Sequence, residues 1–148
     1  MSAGPSVDPR GPRFAAWVTT VVLAAVLVTA WWPLLAAQAL VFAVGAFAGL
    51  RYAPYSLIFR HLVAPRLAPR DEREDAAPVR FAQGVGFGFA ALGLLGYLTG
   101  ATWLGIAAVA LAVAAAFLNA AFAFCLGCEA YVLLRRLVPS NTRPVASH

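Results

Sequence analysis

The sequence predicts an all-α integral membrane protein: four transmembrane helices in two hairpins, with a short amphipathic helix on the cytoplasmic face between the second and third. Three observations carry this. Of the 148 residues 62% are apolar, and the mean hydropathy is +0.80, well above the roughly 45–50% apolar content of a soluble domain. The chain contains four long apolar runs without a charge, and its 11 basic and 6 acidic residues all lie outside them, except Glu129 near the end of the fourth. So little polar surface excludes a soluble monomer. A pI near 10.0 would suggest nucleic acid only if the arginines shared one folded basic face, and they are instead dispersed among the connecting segments.

The chain reads as one integral domain, 1–148. Its apolar runs are Phe14 to Ala30, Leu34 to Leu50, Phe81 to Leu98 and Trp103 to Phe124, the last continuing to Leu134. This places the spans at 14–32, 34–50, 81–98 and 103–134. At helical rise the first three cover about 25–27 Å and the fourth more than about 30 Å, near the thickness of a bilayer core. The first run follows Arg10 and Arg13 and has the look of a secretory signal. It is expected to stay on the chain, because Trp31-Trp32-Pro33 is a poor mature start and its loss would put the charged loops on opposite sides.

Only Trp31-Trp32-Pro33 separates the first two spans, and only Thr99-Gly100-Ala101-Thr102 the last two. Both are uncharged tight turns with tryptophan at or beside them, as at a membrane interface. The charged segments are then the N-terminus, the stretch Arg51 to Arg80 and the C-terminus, which an even number of spans places on one side. The positive-inside rule makes that side the cytoplasm of a bacterial inner membrane, with both termini inside. Within the middle segment, Tyr55 to Val63, bounded by Pro54 and Pro65, has helical apolar spacing and suits a helix on the inner leaflet. Arg70 to Asp75 reads as a mixed-sign, solvated loop.

Gly45 and Gly49, and Gly84 and Gly88, have the four-residue spacing of close helix contacts. The run Gly84-Val85-Gly86-Phe87-Gly88 follows no strand, so it reads as packing rather than a nucleotide loop. Thr19, Thr20, Gln38, Gln83 and Asn119 are the polar residues at lipid depth and are expected to bond to neighbouring helices.

The chemistry-bearing motif is Phe124-Cys125-Leu126-Gly127-Cys128, which contains both cysteines of the chain. If Arg135 marks the inner interface, Cys128 lies about 10 Å and Cys125 about 15 Å back along a continuous fourth helix. On that reading burial, Glu129 and the helix's negative end all oppose a thiolate. Arg13, Arg80 or Arg135 would have to compensate, with Arg13 and Arg80 the preferred stabilisers and Cys128, nearer water, the preferred nucleophile. Two cysteines are too few for a closed tetrahedral zinc site, and neither His61 nor His148 is brought near them. The residues therefore imply neither a metal nor a cofactor.

The stretches Val7 to Phe14, Glu74 to Gln83 and Phe124 to Cys128 resemble a family of small bacterial integral membrane proteins known as a domain of unknown function, over roughly residues 7–136. Members are often encoded beside thioredoxin-like or rhodanese-like proteins. The resemblance thus implies thiol redox or sulfane-sulfur handling by Cys125 and Cys128 with such a soluble partner. It assigns no catalytic residues. Other readings are a scaffold that recruits a cytoplasmic protein through its loops, a soft-metal binder completed by a second copy of the chain, and an oligomeric transporter. The last lacks a midplane carboxylate to couple protons. Besides the lipid bilayer and a soluble partner, the reading admits a homo-oligomer and no nucleic acid, and whether the chain is an enzyme stays open.

Overall fold

The computed structural model describes residues 6–7, 10–67 and 74–138. The fold is all-α apart from one short ladder, in which β1 (Ser6–Val7) pairs antiparallel with β2 (Glu74–Asp75). The helices are α1 (Arg10–Thr29), α2 (Trp32–Ala43), α3 (Pro54–Ile58), α4 (Ala76–Thr99), α5 (Thr102–Phe122) and α6 (Leu126–Leu137). α2 runs on into a π-turn, Val44–Ala48, and α3 into another, Phe59–Val63.

The two hairpins fall where the sequence puts them. α1 stops at Ala30, whose φ of 55° is left-handed and whose N–H closes on the Val26 carbonyl at 2.7 Å. Trp31 is extended, and Pro33 sits in the first turn of α2, where a missing N–H costs nothing. The second hairpin turns on Gly100 at φ 91°, a conformation that favours glycine. The π-turn after α2 ends at Gly49, φ 119°, whose amide closes it onto the Val44 carbonyl at 3.0 Å.

α1, α2, α4 and α5 form a ring in which each helix packs on the next and α5 closes onto α1. Neighbours run antiparallel. Trp17 meets Phe117 edge-on, Gly45 faces Gln83, and Gly93 faces Leu35. The shared core is Leu23, Val26, Leu35, Phe42, Ala90, Val109 and Ala112. Gly96 lies against the Gly105 backbone, so the second hairpin is backbone-on-backbone. The close approach expected of small residues holds for Gly45, and Gly86 is closer still, a Cβ there standing 2.7 Å from the Phe42 ring. Gly88 departs from the expectation: nothing lies within 4 Å of a Cβ built on it.

This ring gathers the described charges at one end, with Arg13 beside Ala120 and Arg80 beside Ala46. The other end carries exposed Trp31, Trp32 and Trp103. The helix expected at Tyr55 to Val63 is present, starting at Pro54 and docked on α1 through Phe14 and the buried Phe59. Of the mixed-sign stretch, Glu74 and Asp75 belong to β2, and 70–73 lie outside the described residues. Of the polar groups at depth, Gln38 meets another element, its Oε1 accepting from the Tyr55 hydroxyl at 2.6 Å, whereas Thr20 Oγ1 turns back to the Ala16 carbonyl of its own helix at 2.7 Å. Among the described residues the buried Gln38 Nε2 and Tyr97 hydroxyl have no partner.

Three helices, α1, α4 and α5, are long and apolar enough to cross a membrane; the apolar stretch Trp32–Ala48 is shorter. The continuous helix over 103–134 is corrected. α5 ends at Phe122, and an independent helix starts at Leu126. The stop is an αL closure on Ala123, at φ 57° and ψ 29°. The N–H of Ala123 reaches the Asn119 carbonyl at 3.1 Å, and that of Phe124 the Leu118 carbonyl at 3.2 Å. The new helix is marked by Glu129 in its first turn and by Arg135 and Arg136 in its last, a charge order that complements the helix dipole.

Candidate functional site

The break after α5 recasts the two cysteines. Cys125 is the N-cap of α6, with extended backbone at φ −93° and ψ 108°. Its Sγ accepts the backbone N–H of Cys128 at 3.1 Å, the position a serine or threonine hydroxyl takes at an ordinary N-cap. The Cys125 carbonyl starts the helix by accepting from the Glu129 amide at 3.0 Å. The helix dipole at the sulfurs is thus opposite in sign to that of an unbroken fourth helix. The positive end of α6 and a donated N–H both favour negative charge on Cys125.

Both cysteines are reduced thiols and half-buried. Cys128, one turn on, packs against the small cluster of Leu50, Ala76 and Val79. Because Cys125 Sγ is in contact with the Cys128 backbone, the two side chains project from the same first turn. At a helix start, the backbone before the N-cap is not locked in the helical ladder. A regular helix interior does not readily bring the Cβ atoms of residues three apart within disulfide distance, and at a helix start that constraint is relaxed.

Gly127 explains how α6 reaches α4. A Cβ at this position would stand 2.6 Å from both the Cα and the Cβ of Ala82, so only glycine lets α6 lie this close. One turn further, Tyr131 stacks at a tilt on Phe81, with ring centroids 5.6 Å apart, and its hydroxyl accepts from Arg135 Nη1 at 2.8 Å. The Arg135 guanidinium also lies over that ring, 5.6 Å from its centroid. Cysteine, glycine and tyrosine are the three anchors of α6 on α4.

The arginines expected as thiolate partners are held by carbonyls. Arg13 Nη2 donates to the Ala120 carbonyl at 2.9 Å, in the last turn of α5. Arg80 Nε and Nη2 donate to the Ala46 carbonyl at 3.2 and 2.8 Å, and Nη2 also to that of Phe47 at 3.4 Å. Arg13 therefore braces the helix end that leads into Cys125, and Arg80 caps the π-turn of α2. Sequence reasoning did not single out Ala82, Phe81 or Ala123 for this site. No periodicity or motif distinguishes them from other apolar residues. Among the described residues no three His, Cys, Asp or Glu side chains converge as a metal site would require.

The fold and site define a class: a small helical bundle with membrane-capable helices, carrying a two-cysteine turn at the start of an amphipathic helix docked on its polar end. The chain belongs to the family described as Domain of unknown function (DUF4395), whose model matches residues 7–136. That match runs from Val7 of β1 through the bundle and covers nearly all of α6. No curated protein and no solved structure matches the chain.

Proposed function

We propose that this chain is a four-span protein of the bacterial inner membrane, with both termini in the cytoplasm, that exchanges electrons or sulfane sulfur with a soluble thioredoxin-like or rhodanese-like partner through Cys125 and Cys128. The observation that carries the reading is Cys125 at the N-cap of α6, its sulfur receiving the Cys128 N–H. Cys125, not Cys128, is therefore the nucleophile. Its thiolate attacks a partner disulfide, forming a mixed disulfide and releasing one partner thiolate. Cys128 then attacks the Cys125 sulfur, closing the Cys125–Cys128 disulfide and releasing the second partner thiol. Two electrons and two protons pass to the partner, and the reverse sequence reduces the pair again.

The four-span reading is supported by the antiparallel ring, in which α2 runs back along the bundle beside α1 and α4, and by α2 and its π-turn together offering one apolar stretch, Trp32–Ala48. Local thinning at the charged end accommodates the shorter span. α6 then lies in the interface, with Leu133, Leu134 and Leu137 exposed for the lipid and Arg135 and Arg136 at its end for anionic headgroups. The test is a trap in the native membrane. Cys128→Ser should accumulate a disulfide-linked adduct with a soluble protein, and Cys125→Ser should not. A membrane-impermeant maleimide should label the wild type in inside-out vesicles but not in right-side-out ones. If neither variant forms an adduct and replacing both cysteines leaves the cellular phenotype intact, the thiol reading fails and the scaffold reading takes its place.

A further inference from the structure

A groove of about 540 Å³ opens between the π-turn after α2 and the first half of α4. Its walls are Ala46 and Phe47 from the π-turn and Ala77, Phe81, Gly84 and Val85 from α4, with Arg80 the one charged lining residue among the described residues. Helix α4 gives up its side chain at Gly84, where a Cβ would meet only the Ala46 methyl at 3.8 Å. The space is therefore open rather than filled by the bundle. Among the described residues the half-buried Arg80 guanidinium bonds only to the Ala46 and Phe47 carbonyls, through Nε and Nη2. Those acceptors satisfy two of its donor atoms and leave its charge uncompensated. A π-turn exposes carbonyls that an α-helix would bond internally, and such turns recur at functional sites.

We propose that this groove seats an anionic phospholipid, its phosphate on Arg80 and an acyl chain along Phe47, Phe81 and Val85. Charge complementarity selects the occupant. Among the described residues Arg80 is the one cation lining the groove, at the polar end of the bundle, and the other lining residues are apolar, which suits a molecule with a single anionic head and a hydrocarbon tail. The proposal rests on the membrane placement above and is independent of the thiol chemistry.

The experiment is native mass spectrometry of the full chain released from nanodiscs of equal phosphatidylglycerol and phosphatidylcholine. Wild type should retain phosphatidylglycerol over phosphatidylcholine, and Arg80→Gln should lower that ratio by about fivefold. Gly84→Leu fills the groove with Arg80 in place and should lower retention of both lipids. An unchanged ratio in a folded Arg80→Gln, or no preference in wild type, overturns the proposal. Because Arg80 also caps the π-turn, its variant can fail to fold. In that case Gly84→Leu decides alone, and retention equal to wild type overturns the proposal. A wild-type dimer that Gly84→Leu dissociates, without retained lipid, would instead identify a second copy of the chain as the occupant. A chain that fails to partition into membranes would overturn the placement itself, an outcome distinct from a membrane-bound chain without lipid preference.

Discussion

The sulfur of Cys125 lies 3.1 Å from the backbone nitrogen of Cys128 and takes its hydrogen, so the first cysteine caps the helix that carries the second. This asymmetry predicts unequal thiols. A cap sulfur feels the positive end of α6, while Cys128 is set against Leu50, Ala76 and Val79. In detergent at neutral pH, Cys128→Ser, which keeps Cys125, should react with a small maleimide about fivefold faster than Cys125→Ser. Equal rates, or the reverse order, would mean that the cap does not govern reactivity.

Gly127 tests whether the site depends on the docking of α6. An alanine there would drive its methyl to 2.6 Å from the Ala82 backbone, which cannot yield as a side-chain tip can. Gly127→Ala should cost about 1–3 kcal/mol, read as an earlier thermal unfolding transition of the solubilised protein. It should also reduce the difference in rate between the two thiols as α6 lifts from α4. Ala82→Gly in the same chain removes the clash with the methyl but not that with the Cα, and should restore only part of the loss.

Arg13 joins the start of α1 to the end of α5 through the Ala120 carbonyl at 2.9 Å. Its replacement by glutamine removes a charged donor from a carbonyl that the αL closure leaves open. The expected loss is about 1 kcal/mol, near the low end for a charged hydrogen bond because Arg13 is exposed to solvent or headgroups. Cys125 labelling should change with it, since Ala120 lies five residues before the cap. Unchanged stability and labelling would show that α5 terminates without this brace.

Much of the fold was legible in the sequence, because charge-free runs and uncharged turns are properties of composition. The hairpins at Trp31 and Gly100, and the helix over Tyr55 to Val63, fall within a residue or two of expectation. The site was not legible, because its decisive event is a helix stop on Ala123. Helices usually stop on glycine or asparagine, the residues that take a left-handed conformation at little cost. Alanine in that conformation costs roughly 1–2 kcal/mol, so Ala120-Ala121-Phe122-Ala123 looks like uninterrupted helix. Cysteine is also absent from the usual N-cap residues. Misreading one residue placed Cys125 and Cys128 at the wrong end of a helix dipole.

Tyr55 gives a prediction with a pH axis. Its hydroxyl donates to Gln38 Oε1 at 2.6 Å, joining α3 to a side chain that is 1% exposed. Burial raises the Tyr55 pKa above its ordinary value of 10.0. The folded state therefore holds this proton more tightly than the unfolded chain, and the associated stability is complete below pH 10.0 and falls as pH climbs through the folded value. Wild type should lose stability in that alkaline range more steeply than Tyr55→Phe. At neutral pH the variant should be less stable by about 1–3 kcal/mol, since it leaves Gln38 Oε1 buried without its donor.

The glycines of α4 provide a comparison within one helix. At Gly86 an added methyl would lie 2.7 Å from the Phe42 ring, which belongs to the core and is itself buried, while at Gly88 nothing stands within 4 Å. Packing in a membrane rewards small residues only where another helix approaches, whereas helix propensity rewards alanine over glycine by up to about 1 kcal/mol wherever there is room. The two terms oppose each other at Gly86 and do not at Gly88. Gly86→Ala should therefore destabilise by about 1–3 kcal/mol, and Gly88→Ala should stabilise by up to about 1 kcal/mol. Thermal unfolding in the same detergent checks both. If Gly88→Ala proves as damaging as Gly86→Ala, then Gly88 meets something outside this chain, and a second copy packed on that face would be the contact to look for.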